Sequence, residues 1–263
     1  MILSLRQYHK TAAMAAAGII GDGPLFVADY LLRFMRVALL LSIWRTLFAG
    51  RDQVSGLPLP AVLTYTLVGE AFAQLLGGYT GLADAHWNGS ISTRFLRPMN
   101  LFGQFTAEAA GAWAFNFCLF STPLLVFALP LGVNPLPASP ASAALFLVSL
   151  LLAMSVGLAL DYIFGGVAIA VALPPWVAER TRRAVGGLLS GAIIPLALMP
   201  WGLGRVFAWT PFAALASAPL QIYIGRGEPV RMLALQAFWS LALWPVATAV
   251  WAMAREKMVL YGG

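Results

Sequence analysis

Long apolar stretches separated by short polar ones dominate this sequence. Glu108 is the only charged residue between Pro98 and Leu160, and no charged residue lies between Met232 and Ala254. About 20 apolar residues in a helix cross a bilayer core of roughly 30 Å, so both stretches are long enough to span a membrane. A helix satisfies its own backbone hydrogen bonds in lipid, whereas a barrel would show short alternating segments. The pattern therefore predicts an all-α polytopic membrane protein.

The apolar stretches predict six transmembrane helices in a single transmembrane domain over residues 1–263. The predicted spans are residues 28–49, 59–83, 101–129, 141–170, 184–198 and 231–254. Prolines interrupt the chain around and after the fifth span, at Pro195, Pro200, Pro211 and Pro219. One unbroken helix is excluded there, and we expect residues 199–225 to form a re-entrant segment in the outer leaflet.

An amphipathic helix is predicted before the first span. Its apolar face consists of Leu5, Tyr8, Ala12, Ala16 and Ile19, and the opposite face carries Arg6, His9 and Lys10. Such a helix lies in the membrane interface. We therefore expect residues 1–26 to form a cytoplasmic interfacial helix.

The basic residues predict the orientation. With the N-terminus in the cytoplasm, 11 of the 16 lysines and arginines lie on the inner side. These are Arg6, Lys10, Arg33, Arg36, Arg94, Arg97, Arg180, Arg182, Arg183, Arg255 and Lys257. The positive-inside rule then predicts a multi-pass protein of the cell (inner, cytoplasmic) membrane with both termini in the cytoplasm.

Composition agrees with a membrane location: 60% of the 263 residues are apolar and 10% are charged, against about 25% charged in a soluble domain. The net charge of +6 does not indicate nucleic-acid binding, because the basic residues flank apolar stretches and do not gather on one surface. Membrane lipid with anionic headgroups is the expected partner.

Enzymatic signatures are absent. The sequence contains no GxxxxGK[ST], HExxH or GxSxG motif, and its only histidines are His9 and His86. Cys118 is the single cysteine, which excludes an intramolecular disulfide and a CxxC metal site. We expect no catalytic residue, metal or cofactor in this chain.

Three acids lie within predicted spans: Glu70, Glu108 and Asp161. An ionisable group in lipid is costly and marks a candidate functional site, here a substrate pathway with a cation contact or a proton relay. The alternative is structural. Each acid forms an interhelical hydrogen bond, or Asp161 lies near the water-facing end of a long helix.

The segment between the second and third spans is the most informative. Trp87, Ile91 and Phe95 repeat every four residues beside Arg94 and Arg97, which predicts a short amphipathic helix within residues 84–98. It is either an interfacial helix anchored by tryptophan and arginine, or a helix that docks in a groove of another subunit.

The sequence resembles small six-span permease subunits of ABC transporters of the type-2 exporter class. Four stretches carry the resemblance: Asp29–Arg33 with Ile43–Arg45; Trp87–Ile91 with Leu96–Pro98; Ser190–Leu196 with Pro200, Thr210–Phe212 and Pro219; and Tyr261–Gly263.

The resemblance implies a dimer of identical or homologous permeases on two cytoplasmic ABC ATPase subunits, which would bind ATP and Mg. Residues 84–98 would form the coupling helix, with Trp87, Ile91, Arg94, Phe95 and Arg97 transmitting ATPase closure. A proton-coupled secondary transporter that uses the three acids, and a membrane-embedded enzyme or structural protein, remain alternatives.

Overall fold

The computed structural model describes residues 2–20 and 25–262, and they are mostly helical. The helices are α1 (Ile2–Ile20), α2 (Leu25–Leu47), α3 (Leu59–Ala71), α4 (Ala73–Gly77), α5 (Leu82–Trp87), α6 (Ile91–Phe95), α7 (Leu101–Asn116), α8 (Thr122–Val126), α9 (Pro140–Ala170), α10 (Pro175–Leu189), α11 (Leu203–Phe207), α12 (Ser217–Tyr223) and α13 (Pro229–Gly262). A two-residue antiparallel pair, β1 (Gln53–Val54) and β2 (Leu57–Pro58), follows α2. Residues 21–24, within the predicted interfacial segment, and Gly263 lie outside the described residues.

Within the described residues, three helical stretches are long and apolar enough to cross a membrane. They are Leu101–Val126, Pro140–Ala170 and Pro229–Met258, which coincide with the predicted third, fourth and sixth spans. Helix α2 is 23 residues long but carries Asp29, Arg33, Arg36 and Arg45. The apolar stretches thus identify the three longest apolar helices correctly, and the charged first stretch is also helical.

The predicted second span, residues 59–83, is broken twice. Helix α3 ends at Ala71 and α4 ends at Gly77, after which Gly78 adopts a left-handed conformation with φ 61°. The Gly78 backbone lies so close to α9 that a Cβ there would be 2.5 Å from the carbonyl carbon of Gly157. Only glycine combines this backbone conformation with this close approach.

Residues 184–198 do not form the single helix expected for the fifth span. Helix α10 begins earlier, at Pro175, and ends at Leu189. Gly191 then has φ 75°, and Pro195 has no N–H to continue a helix. Beyond it lie two short 3-10 turns, Leu196–Leu198 and Pro200–Gly202, and the short helices α11 and α12.

A π-helical turn, Phe117–Ser121, joins α7 to α8 within the third long helix. Pro123 follows it, and a proline removes the backbone donor that an uninterrupted α-helix needs. The Thr122 hydroxyl donates to the carbonyl of Phe117 (2.9 Å), and the Ser121 hydroxyl donates to the carbonyl of Ala71 (2.5 Å). The local disruption thereby supplies a contact to α3.

Helix α9 is the centre of the structure, and α13 packs along it. Gln236 is completely buried between them; it accepts from the Ser149 hydroxyl (2.7 Å) and donates to the Ala214 carbonyl (2.8 Å). Further along the same two helices, the hydroxyls of Ser155 of α9 and Ser240 of α13 lie 2.6 Å apart. Hydrogen bonds of this kind hold helices together where apolar burial gives little driving force.

Helix α1 packs along α7 through its predicted apolar face. The ring of Tyr8 lies directly against Gly103, and the backbone of Ala12 lies directly against Gly111. Arg6, His9 and Lys10 are exposed. The polar residues therefore lie opposite Tyr8 and Ala12, and the apolar face of α1 contacts α7; the interfacial position of this helix stays a prediction.

We expect Gly78→Ala to destabilise the protein by about 2–4 kcal/mol, because it adds both a left-handed alanine and a clash with the α9 backbone. Thermal unfolding of the detergent-solubilised protein measures this. Gly77→Ala is the matched control, since a Cβ at Gly77 meets nothing within 4 Å. Equal melting temperatures of the two variants would contradict the close packing of α4 on α9.

Candidate functional site

Residues 79–100, which join α4 to α7, fold into two short helices and not into the single helix predicted within residues 84–98. Helix α5 ends at Trp87 and α6 begins at Ile91. Between them Gly89 has φ 76°, and the side-chain oxygen of Asn88 accepts from the Ser90 amide (3.0 Å). This turn, built on residues that favour turns, explains the break.

The inner face of this loop is apolar. Ile91 is buried in one cluster with Leu82 and Ala85 of α5 and with Leu101 and Phe105 of α7. A buried Ile91 fixes the loop to the helices and is not available to another subunit.

Arg94 ties the loop to α7. Its guanidinium lies 2.5 Å from the carboxylate of Glu108 and 4.4 Å from the centre of the Phe105 ring. Arg97 is 3.9 Å from the same carboxylate. The Gln104 amide donates to the carbonyls of Arg94 (3.1 Å) and Met99 (3.0 Å). Both the side chain and the backbone of α6 are therefore held by α7.

The outer face of the loop presents large apolar side chains. Trp87 is 55% exposed, Phe95 50% and Leu96 85%. Trp87 packs edge to face on Trp176 of α10, with ring centres 5.5 Å apart, and Trp176 is itself exposed. We call Trp87, Phe95, Leu96 and Trp176 the exposed loop surface. Exposed aromatic side chains of this kind mark interaction sites.

A buried ion pair lies next to the start of the loop. The Arg182 guanidinium is 3.0 Å from Oδ1 of Asp161. Thr80 donates to Oδ2 of Asp161 from its amide (2.8 Å) and its hydroxyl (2.5 Å). Arg182 also donates to the carbonyls of Gly77 and Gly157. The pair and its hydrogen bonds join the end of α4, the middle of α9 and helix α10.

The two titratable groups of α5 differ in their surroundings. Asp84 accepts a hydrogen bond from the Tyr79 hydroxyl. Partial burial lowers the pKa of His86 below its usual value, because desolvation disfavours the charged imidazolium. His86 is therefore neutral at pH 7, and the positive charge of the loop comes from Arg94 and Arg97.

The structure does not bring Glu70, Glu108 and Asp161 into one cluster. Glu70 of α3 pairs with Arg36 of α2 (2.9 Å), while Glu108 pairs with Arg94 and Asp161 pairs with Arg182. Within the described residues, no three histidines, cysteines or acids are close enough to hold a metal ion. Each acid has an arginine partner from a different segment. A role in a substrate pathway stays a prediction.

Sequence reasoning missed Arg182, Thr80 and Trp176. Arg182 belongs to the charged run Glu179–Arg183, which indicated only a cytoplasmic loop. A signal was present: Arg182 lies seven residues after Pro175, on the same face of α10, and both are buried. This spacing indicates that Arg182 faces the protein, but it does not identify Asp161 as the partner.

A family model described as "ABC-2 family transporter protein" matches residues 34–262, which include the loop and all three acid–arginine pairs. Searches of curated proteins and of solved structures return no significant match.

We expect Asp161→Leu and Arg182→Met each to destabilise the protein by about 3–5 kcal/mol, because each leaves an uncompensated buried charge. The double variant should be more stable than either single one, since it removes both charges. Thermal unfolding in detergent measures all three.

Arg183→Met is the matched control for this series. The Arg183 side chain is 73% exposed and pairs with Glu179, whereas that of Arg182 is 10% exposed. Loss of an exposed pair costs about 0–1 kcal/mol. Additive losses in the double variant, or a loss in Arg183→Met as large as in Arg182→Met, would contradict the buried pair.

Proposed function

The chain belongs to the ABC-2 transporter family, since the family model matches residues 34–262, and we propose that it is the membrane-spanning permease of an ATP-driven exporter. In this proposal it forms the substrate pathway as a dimer with an identical or homologous permease. The chain has no phosphate-binding loop in its sequence. ATP and Mg therefore bind in separate ABC ATPase subunits, and this chain is not itself catalytic.

The observation that carries the proposal is the exposed loop surface, presented on a firmly anchored loop. Trp87, Phe95 and Leu96 are exposed apolar groups, and Arg97 extends beside them with its side chain 49% exposed. Aromatic residues and arginine are the types that dominate binding energy at protein interfaces. We propose that the ATPase contacts are made by Trp87, Phe95, Leu96 and Arg97.

The other two predicted coupling residues receive a different role in this proposal. Ile91 is buried, and Arg94 is paired with Glu108 against Phe105. They hold the loop rigidly on α7, so that a displacement of the docked surface moves α7 with it. Thr80, Asp161 and Arg182 pass the same displacement to α9 and α10.

The three acids also have different roles in this proposal. Glu108 and Asp161 serve as anchors of the loop, whereas Glu70 pairs with an arginine that is 57% exposed. The Arg36–Glu70 pair is the candidate contact for substrate. A proton relay is not favoured by these contacts, because every one of the three acids is already balanced by an arginine.

Contacts at the two ends of the bundle support the proposed arrangement of the spans. At the proposed outer end, Arg45 donates to the Leu131 carbonyl, and Ala138 donates to the Tyr223 carbonyl (3.0 Å). At the proposed inner end, Lys257 donates to the Ala170 carbonyl (2.6 Å). Segments assigned to one side contact each other, as the proposed topology requires.

The proposed re-entrant segment, residues 199–225, belongs to the outer end in this scheme. The Tyr223 hydroxyl donates to the carbonyl of Pro135, in the loop between the third and fourth spans (2.5 Å). The backbone of Ser217 donates to the carbonyl of Ser190 (2.9 Å). This return of the chain to the end of α10 supports the proposed hairpin.

We expect the double substitution of Phe95 and Leu96 by alanine to reduce ATP-dependent export at least tenfold, because it removes apolar area from the docking surface. Transport into inverted vesicles that contain the permease and its ATPase measures this. Co-purification of the ATPase with the tagged chain should fall in parallel.

Leu136→Ala serves as the control for that experiment. Leu136 is 69% exposed but lies in the proposed outer loop, so its removal should leave export and co-purification unchanged. Normal export by the Phe95 and Leu96 variant, at wild-type expression, would exclude the loop as the ATPase contact.

A further inference from the structure

A cavity of about 390 Å³ lies between α11, α12 and the first turns of α13, at the proposed outer end and away from the loop surface. Its size falls in the range of small-molecule sites. The residues that line it include Glu228, immediately before α13, and Arg231, Leu235 and Trp239 of α13. They are spaced three or four residues apart along one face and extend over about 16 Å. The cavity is therefore a slot parallel to α13.

Three charged residues line the slot, and two of them, Glu228 and Arg231, lie at the end where α13 begins. Arg205 and Arg231 both line it and are exposed, and neither forms an ion pair with any described residue. The Arg231 guanidinium lies 4.7 Å from the centre of the Trp209 ring. Glu228 is the one acid among the lining residues, so two positive charges face one negative charge. An anion is favoured at this end.

The rest of the slot is largely apolar. Its walls are Met232, Leu235 and Trp239 on α13, with Ala214 and Ala218 opposite. The Trp239 indole N–H donates to the Trp209 carbonyl (3.1 Å), which connects the apolar wall to the residue beneath Arg231. Gln236 is a buried polar residue of the lining, and its amide already forms hydrogen bonds with Ser149 and Ala214. Hydrocarbon therefore suits the depth of the slot.

Access from lipid favours a lipid occupant. Most of α13 is not covered by the rest of the chain, and Val230, Phe238 and Leu241 are among its exposed apolar residues. Phe238 lies next to the slot-lining face of α13, whereas Val230 and Leu241 lie on the opposite face. A molecule with an anionic head and an apolar tail could enter sideways without crossing water.

We infer that this cavity binds an anionic phospholipid of the surrounding leaflet, with its phosphate at Arg205 and Arg231 and an acyl chain along Met232, Leu235 and Trp239. The site is separate from the proposed ATPase contact, and its occupation does not depend on transport. A lipid bound here would fill the gap between the proposed re-entrant segment and α13.

Native mass spectrometry of the purified chain, titrated with dioleoylphosphatidylglycerol or dioleoylphosphatidylcholine, tests the inference. We expect phosphatidylglycerol to bind about tenfold more tightly, since each charge-assisted contact to phosphate strengthens binding several-fold. Arg205→Gln and Arg231→Gln should each weaken it about fivefold to tenfold. Glu228→Gln should strengthen it, because it removes the opposing negative charge.

Arg226→Gln is the matched control. Arg226 is exposed and close in sequence but does not line the cavity, so phosphatidylglycerol binding should be unchanged. A loss in this variant equal to that in Arg231→Gln would reduce the effect to general surface charge and overturn the inference. A second result would also overturn the inference: decyl phosphate, a soluble single-chain anion, binds and loses affinity in the arginine variants, while phosphatidylglycerol does not bind. The substituted residues lie away from the proposed ATPase contact, so these variants should export at the wild-type rate. Export measurements therefore test the proposed function separately.

Discussion

The buried ion pair of Asp161 and Arg182 constrains the rest of the structure. Two charges in a low-dielectric interior are tolerated only with near-complete compensation. Here the pair is completed by Thr80 and by the carbonyls of Gly77 and Gly157. Separating α4, α9 or α10 would expose a charge to an apolar environment. The three segments therefore form one rigid unit at the proposed cytoplasmic end.

Two further arginines are also paired with acids that lie in apolar stretches. Arg94 pairs with Glu108 and Arg36 pairs with Glu70, so each acid in an apolar stretch is matched by an arginine from another segment. Because two of the three pairs surround residues 79–100, the loop is fixed on its inner face. Its apolar outer face is exposed. This arrangement connects the energetics of buried charge to the proposed transmission of ATPase motion.

The sequence predicts the long helices well because their apolar stretches are long and uninterrupted, as in α9 and α13. It predicts the fifth span and the single short helix within residues 84–98 poorly. Gly191 and Gly89 adopt left-handed conformations that apolar patterning does not report. The sequence also does not identify the partners of the ion pairs. Asp161 of α9 and Arg182 of α10 are recognisable as unusual charges, but only the folded structure shows that their side chains lie 3.0 Å apart.

The central claim is that the exposed loop surface contacts an ATPase, and site-directed cross-linking tests it most directly. Cys118 would first be changed to serine, and a photoactivatable thiol reagent would be attached at Leu96→Cys or, as the control, at Leu136→Cys. On illumination of native membranes, we expect the reagent at position 96 to give an adduct with a subunit that contains a phosphate-binding loop. Position 136 should give none. An ATPase adduct from position 136, or its absence at position 96, would contradict the account.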